Sequence, residues 1–255
     1  MIAKPRLIAR LDIKGPRVVK GICFDGLRVM GEPEELAFKY YEQGADELLY
    51  IDTVASLYGR NNLSDVVRKA AARIFIPMTV GGGIRSVDDA RDLLRSGADK
   101  VAVNTAAVKR PELISEIASI LGSQAVVVSL QIKKTTDGRW EVYIDNGRQQ
   151  TGLDALEWAR EAERLGAGEL LATSVDRDGT GRGLEIEFIR QLMGAVSIPV
   201  IAGGGVGKPG DIAEIVQKTH VDAVAIGSIL HYQRTTMREI KQILRDAGVA
   251  IARHG

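Results

Sequence analysis

The chain contains the same passage twice. Ile76-Pro77-Met78-Thr79-Val80-Gly81-Gly82-Gly83-Ile84 returns half a chain later as Ile198-Pro199-Val200-Ile201-Ala202-Gly203-Gly204-Gly205-Val206. The same offset carries Gly44-Ala45-Asp46-Glu47-Leu48-Leu49 onto Gly166-Ala167-Gly168-Glu169-Leu170-Leu171. Solenoids repeat over shorter periods and more often. A single long-period repeat implies two equivalent halves that close against each other.

Short β-branched runs alternate with longer helical patterns, which is the signature of βα units on a parallel sheet. The runs predict strands at 7–12, 48–52, 78–80, 101–104, 126–131, 170–174, 200–202 and 223–226. They predict helices at about 33–43, 63–73, 87–96, 111–121, 153–165, 185–193, 210–219 and 236–247. Ser86 before Asp88 and Asp89 reads as a helix start, and Gly44, Gly97, Gly122 and Gly166 as helix stops. The segment 133–148, with Trp140, Val142, Tyr143 and Ile144, reads as a long loop holding a small hairpin. Strict alternation over 255 residues with 45% hydrophobic content fits one (β/α)8 TIM barrel spanning 1–255, built from two homologous half-barrels. A doubly wound sheet is the rival, but it does not explain why units three and seven match.

Composition narrows the function. A formal net charge of +1 argues against a nucleic-acid or anionic-membrane partner. No apolar run approaches the ~20 residues that span a bilayer. Lys4, Arg6 and Arg10 interrupt the first segment, so a signal peptide is not expected. A lone Cys23 fits a reducing compartment, and the expected location is cytoplasmic. His220, His231 and His254 lack metal-ligand spacing, so neither a metal nor a cofactor is expected.

In a barrel of this kind the site lies at the C-terminal ends of the strands. Gly82-Gly83 and Gly204-Gly205 follow strands three and seven, where backbone N–H groups can approach an anion closely. The next strand ends offer Asn104-Thr105 in one half and Gly227-Ser228 in the other. Two such sites suggest an elongated ligand with a phosphate at each end; the plainer alternative is that these glycines only permit tight turns. Asp12 closes an apolar run and can act as a general acid or base, or merely cap the strand. Asp52 and Asp178 also fall at or just past strand ends. At the opposite rim, Arg6, Glu47, Lys100 and Glu169 open strands one, two, four and six. They could form a ring of paired charges, which residue types alone read as a salt-bridged plug.

These motifs carry a resemblance. Leu11-Asp12-Ile13-Lys14 with Val18-Val19-Lys20-Gly21, the stretch 80–84, Gly97-Ala98-Asp99-Lys100-Val101 with Asn104-Thr105-Ala106-Ala107, Gly122-Ser123-Gln124-Ala125-Val126-Val127-Val128, and 166–169 with Thr173-Ser174-Val175-Asp176-Arg177-Asp178-Gly179-Thr180 belong together. Over essentially its whole length the chain resembles the cyclase subunit of imidazole glycerol phosphate synthase, from histidine biosynthesis. The resemblance implies a barrel that binds a bisphosphate ribonucleotide, accepts ammonia, and releases imidazole glycerol phosphate and an aminoimidazole carboxamide ribonucleotide. It implies a glutaminase subunit on the N-terminal barrel face, with Arg6, Glu47, Lys100 and Glu169 as the ammonia gate and Asp99 near the interface. It places Lys20 in a mobile substrate loop, and Thr173, Ser174 and Gly179 with the substrate-binding residues.

The chain departs from the pattern at Gln131, where the family has a second catalytic aspartate, the twofold mate of Asp12. An amide cannot exchange a proton near neutral pH. Similar barrels occur as paralogues beside sugar amidotransferases of surface polysaccharide synthesis. Two functions therefore stand open: a cyclase acting through Asp12 with Gln131 orienting substrate, or a subunit that passes ammonia to a sugar amidotransferase. A sister phosphoribosyl isomerase is a weaker third, because it would have no use for the charged rim.

Overall fold

A computed structural model describes residues 4–55 and 63–251; His254 lies outside them. Eight parallel strands close on themselves. β1 (Arg6–Lys14) pairs with β4 (Glu47–Asp52), followed by β5 (Met78–Gly81), β6 (Lys100–Val103), β7 (Val126–Lys134), β10 (Glu169–Ser174), β11 (Val200–Gly203) and β12 (Ala223–Ile226), which returns to β1. Helices separate successive strands, so the fold is the expected (β/α)8 barrel. Among the described residues no helix is long and apolar enough to cross a membrane.

Strand parity explains the core. Side chains alternate across a strand, so Leu7, Ala9, Leu11 and Ile13 of β1 face the helices. Ile8 instead meets Leu49, Ala102, Val127, Leu171, Ile201, Ala223 and Ala225 inside the barrel. By the same parity Arg6, Arg10 and Asp12 point inward. The barrel interior is thus an apolar layer with charged groups below it and above it.

The two halves agree in backbone detail. Thr53 N donates to Ile13 O and Val175 N donates to Ile132 O, both at 2.9 Å. Asp99 takes Met78 N at 2.8 Å while Asp222 takes Val200 N at 2.9 Å, a matched pair of floor braces. Each half also extends its first strand into an antiparallel sheet. β1 continues into β2 (Arg17–Ile22) and β3 (Asp25–Gly31), and β7 into β8 (Trp140–Ile144) and β9 (Gln149–Asp154).

The expected helices form within a few residues of their predicted bounds. Ser86 caps the helix Val87–Arg95 through a capping box with Asp89. Three details differ from expectation. The β2–β3 hairpin lies where only a loop was read. The second hairpin runs on to Asp154, so the next helix begins at Ala155 and not at 153; Asp154 caps it, accepting from Leu156 N and Glu157 N. Short helices Thr105–Lys109 and Ser228–His231 follow β6 and β12.

Candidate active site

At the floor, the four rim charges meet. Arg6 Nη1 donates to Glu47 Oε1 at 2.6 Å, and Arg6 Nη2 donates to Glu169. Lys100 Nζ lies 2.7 Å from Glu169 Oε2 and 3.5 Å from Glu47 Oε2. Charges therefore alternate around a closed ring of zero net charge. Pairing on both sides offsets the cost of keeping Glu47 and Glu169 almost fully buried. Arg6 and Lys100 also line an open depression on the floor with Lys4, Gln124 and Asp222.

The mouth holds two cavities, one beside each glycine turn. The first, of about 200 Å³, is lined by Asp52, Gly82, Gly83, Asn104, Thr105, Ser129, Gln131 and Asn146, among others. The second is lined by Arg10, Lys20, Asp178, Gly204, Gly205, Gly227 and Ser228, and only about 10 Å³ of it is open. The turns are built alike. Gly82 has φ +106° and Gly204 has φ +82°. A Cβ on Gly82 would come within 2.6 Å of Asp52 O, and one on Gly204 within 2.7 Å of Ser174 O. Only glycine fits there, because the chain folds back against the preceding strand end. Such turns can present backbone N–H groups to an oxyanion. Asn104 and Gly227, which begin the two short helices, share nearly the same backbone angles, φ −135° and ψ −86° against φ −124° and ψ −75°.

Side chains break the symmetry. Asn104 Nδ2 donates to Ser129 O at 2.9 Å and Tyr143 O at 3.2 Å, and Thr105 Oγ1 accepts from Asp145 N at 3.0 Å. These two residues brace the β8–β9 hairpin. Gly227 stands where the other half has Asn104, and with no side chain it cannot hold the equivalent β2–β3 hairpin in this way. Gln131 Oε1 accepts from Gly147 N at 2.7 Å, in the turn of the same hairpin. Asp52 is half-buried and accepts from Val54 N; burial moves its pKa up.

Asp12 sits in a buried four-charge cluster. Arg10 Nε donates to Asp12 Oδ1 at 2.8 Å, and Lys20 Nζ donates to Asp12 Oδ2 at 3.0 Å and to Asp178 Oδ2 at 2.8 Å. Arg10 Nη1 also donates to Thr173 Oγ1 at 3.1 Å. Burial would raise the Asp12 pKa, but the charges of Arg10 and Lys20 outweigh it and hold the carboxyl well below its usual range. Lys20 arrives on β2, whose hairpin is folded down over the mouth. Cys23 N donates to Asp178 O at 2.7 Å, and Gly179 packs directly against Gly21. The closed hairpin and its lysine account for the small second cavity.

Most residues anticipated from sequence come together at the mouth. Gly179 lies under the hairpin, and it, Asp12, Thr173 and Ser174 line neither cavity. Ser174 contributes its carbonyl as the wall behind Gly204. Several mouth residues escaped the sequence reading, Ser129, Asn146 and Arg10 among them. Ser129 and Asn146 carry no local signal. Arg10 does: it has the inward parity of Asp12 in an otherwise apolar strand.

The geometry defines a twofold-symmetric (β/α)8 barrel protein with paired glycine turns and a buried Arg10–Asp12–Lys20–Asp178 cluster at its mouth and a charged ring at its floor. The chain matches the family described as histidine biosynthesis protein over residues 6–236, and it belongs to that family. A Legionella pneumophila relative is 63% identical over 203 residues, covering 80% of this chain and 96% of that protein. A Bacillus cereus (strain G9842) relative is 49% identical over 251 residues, covering 98% of this chain and 99% of its own. Both relatives bear the name imidazole glycerol phosphate synthase subunit HisF.

Proposed function

We propose that this chain is the cyclase subunit of imidazole glycerol phosphate synthase. In this reading it takes ammonia from a glutaminase partner and converts a bisphosphate ribonucleotide into imidazole glycerol phosphate and an aminoimidazole carboxamide ribonucleotide. The observation that carries it is the pair of like glycine turns on either side of the mouth, Gly82-Gly83 and Gly204-Gly205, with Asp12 held just behind the second cavity by Arg10 and Lys20 of its lining. A ligand with a phosphate at each end would span the turns and lay its middle near Asp12. The second turn is covered by Lys20, so substrate entry requires the β2–β3 hairpin to lift.

The glutaminase would dock on the floor, over the depression lined by Lys4, Arg6 and Lys100, and ammonia would pass the ring of Arg6, Glu47, Lys100 and Glu169. Neutral ammonia can cross the apolar layer above that ring at little cost, whereas ammonium cannot. Purified protein given ammonium salt and the bisphosphate substrate should release both products, and Asp12→Asn should abolish the reaction.

A specific observation favours a second reading. Gln131 cannot exchange a proton, and Asp12 is neutralised on both oxygens, so the site is poorly supplied with acid–base groups. The chain would then serve as the ammonia-passing partner of a sugar amidotransferase. Absence of turnover in the wild type, with recovery in Gln131→Asp, would favour this reading over the first.

A further inference from the structure

Arg10 is a buried charge at the mouth to which neither reading gives a task. Its residue is 4% exposed. It stands one inward position above Ile8 and one below Asp12, so it lies between the apolar barrel interior and the reacting chamber. Two arginines of β1 reach across to the same strand, β10: Arg6 to Glu169 at the floor and Arg10 to Thr173 at the mouth. The lower one ends on a carboxylate and belongs to a ring. The upper one ends on a hydroxyl, and among the described residues its ion pair is with Asp12.

The geometry points to Arg10 as a positioning residue for Asp12: anchored on Thr173, it fixes the direction of the carboxylate and keeps it an anion even when Lys20 leaves with the hairpin. This rests on the proposal that Asp12 works on substrate at the mouth. Three features argue for it. First, Arg10 holds Oδ1 through Nε, leaving Oδ2 as the oxygen that Lys20 contacts and that a substrate can reach once the hairpin lifts. Second, the side-chain hydrogen bonds of Arg10 go to barrel strands, and only its stacking on Phe24 involves the hairpin, whereas Lys20 itself belongs to the hairpin that must move. Third, a guanidinium stays protonated at any working pH, so its effect on Asp12 is permanent. Because Gln131 cannot exchange a proton, the mouth then works with a fixed anionic acceptor and not with an interchangeable acid and base.

Four charged or titratable groups surround the carboxylate. They are Arg10 from its own strand, Lys20 from β2, Asp178 from the segment after β10, and His231 from the short helix after β12. Replacing Arg10 leaves Lys20 to neutralise Asp12 in the closed form, so the variant keeps a partner for its buried carboxylate.

The test compares the wild-type chain with Arg10→Met and Arg10→Lys. Carboxyl-labelled aspartate is followed by 13C NMR from pH 3 to 8, with the Asp12 signal assigned from Asp12→Asn, and turnover is measured with ammonium salt over the same range. In the wild type the Asp12 signal is expected not to titrate above pH 3. In Arg10→Met its titration should move up by about 1–3 pH units, and kcat should gain an acid limb while KM changes little. Arg10→Lys should restore most of the wild-type behaviour. An Asp12 that titrates normally in the wild type, or one unmoved in a folded Arg10→Met, overturns the inference. If the NMR behaves as stated but the wild type turns nothing over, the cyclase reading fails and the assignment of Arg10 stands.

Discussion

Gln131 Oε1 and Gly147 N are joined by a 2.7 Å hydrogen bond that ties the fifth barrel strand to the turn of the β8–β9 hairpin. The oxygen is thus occupied, and the amide nitrogen is the part of the side chain left to meet a ligand in the first cavity. Gln131→Ala should lower the melting temperature by an amount corresponding to about 1 kcal/mol, because the Gly147 N–H loses its acceptor. Gln131→Asp should raise ammonium-dependent turnover by on the order of 10² through a second acid–base group. Steady-state kinetics on the purified variant checks this, and an unchanged rate would mean that the amide is not the limiting feature.

Gly82→Ala and Gly204→Ala should each damage one end of the mouth. Both residues have left-handed backbone angles, and each new methyl group would strike a carbonyl of the preceding strand end. The backbone strain alone costs about 1–2 kcal/mol. Calorimetry with a bisphosphate ligand should show binding at least about tenfold weaker for either variant, while a monophosphate should be sensitive to only one of them. Unaltered binding in both would remove the glycine turns from the site.

Lys100→Met should break the floor ring and leave Glu47 and Glu169 sharing Arg6 alone. A lost partner for buried carboxylates costs on the order of 3 kcal/mol, which denaturant unfolding can read. In the assembled complex, glutamine-dependent turnover should change severalfold while turnover with ammonium salt stays near the wild-type value. A proportional change in both would make the ring a structural plug.

His231 gives the fold a sensitivity to acid. Burial, with a smaller contribution from Lys20, pushes its pKa down to about 4, and Tyr40 holds its Nδ1 at 2.7 Å. The unfolded histidine titrates near 6.5, so between those values the unfolded chain binds a proton that the folded one refuses. Stability must therefore fall as pH drops from about 6.5 towards 4, by about 3 kcal/mol across the whole window. His231→Gln should show a smaller drop in melting temperature between pH 7 and pH 5 than the wild type. An equal drop in both would assign the acid sensitivity to other groups.

Features encoded by local pattern are legible in the sequence. The helix stops at Gly44, Gly97, Gly122 and Gly166 all take the left-handed angles that glycine permits. Glu47, Lys100, Glu169 and Arg6 could be assigned to one rim because each opens a strand, and strand starts share an end of a parallel barrel. The β2–β3 hairpin was not legible. Its strands carry charges and exposed side chains such as Val29, and they are held by pairing with β1 and by the contact with Asp178. Arg10 was visible as a residue but not as a member of the site, because Thr173 lies more than half the chain away.

Repeats and periodicity sufficed for the barrel, its two halves, the glycine turns and the opposition of Asp12 to Gln131, since these follow from residue type and spacing along one strand or turn. Closure brought the rest. Whether a charge is paired, which oxygen of Asp12 is taken, and how little room remains beside Gly204 depend on side chains that meet across the barrel. Those contacts are set by strand register and by the hairpin folded over the mouth, and neither has a signature in the order of residues.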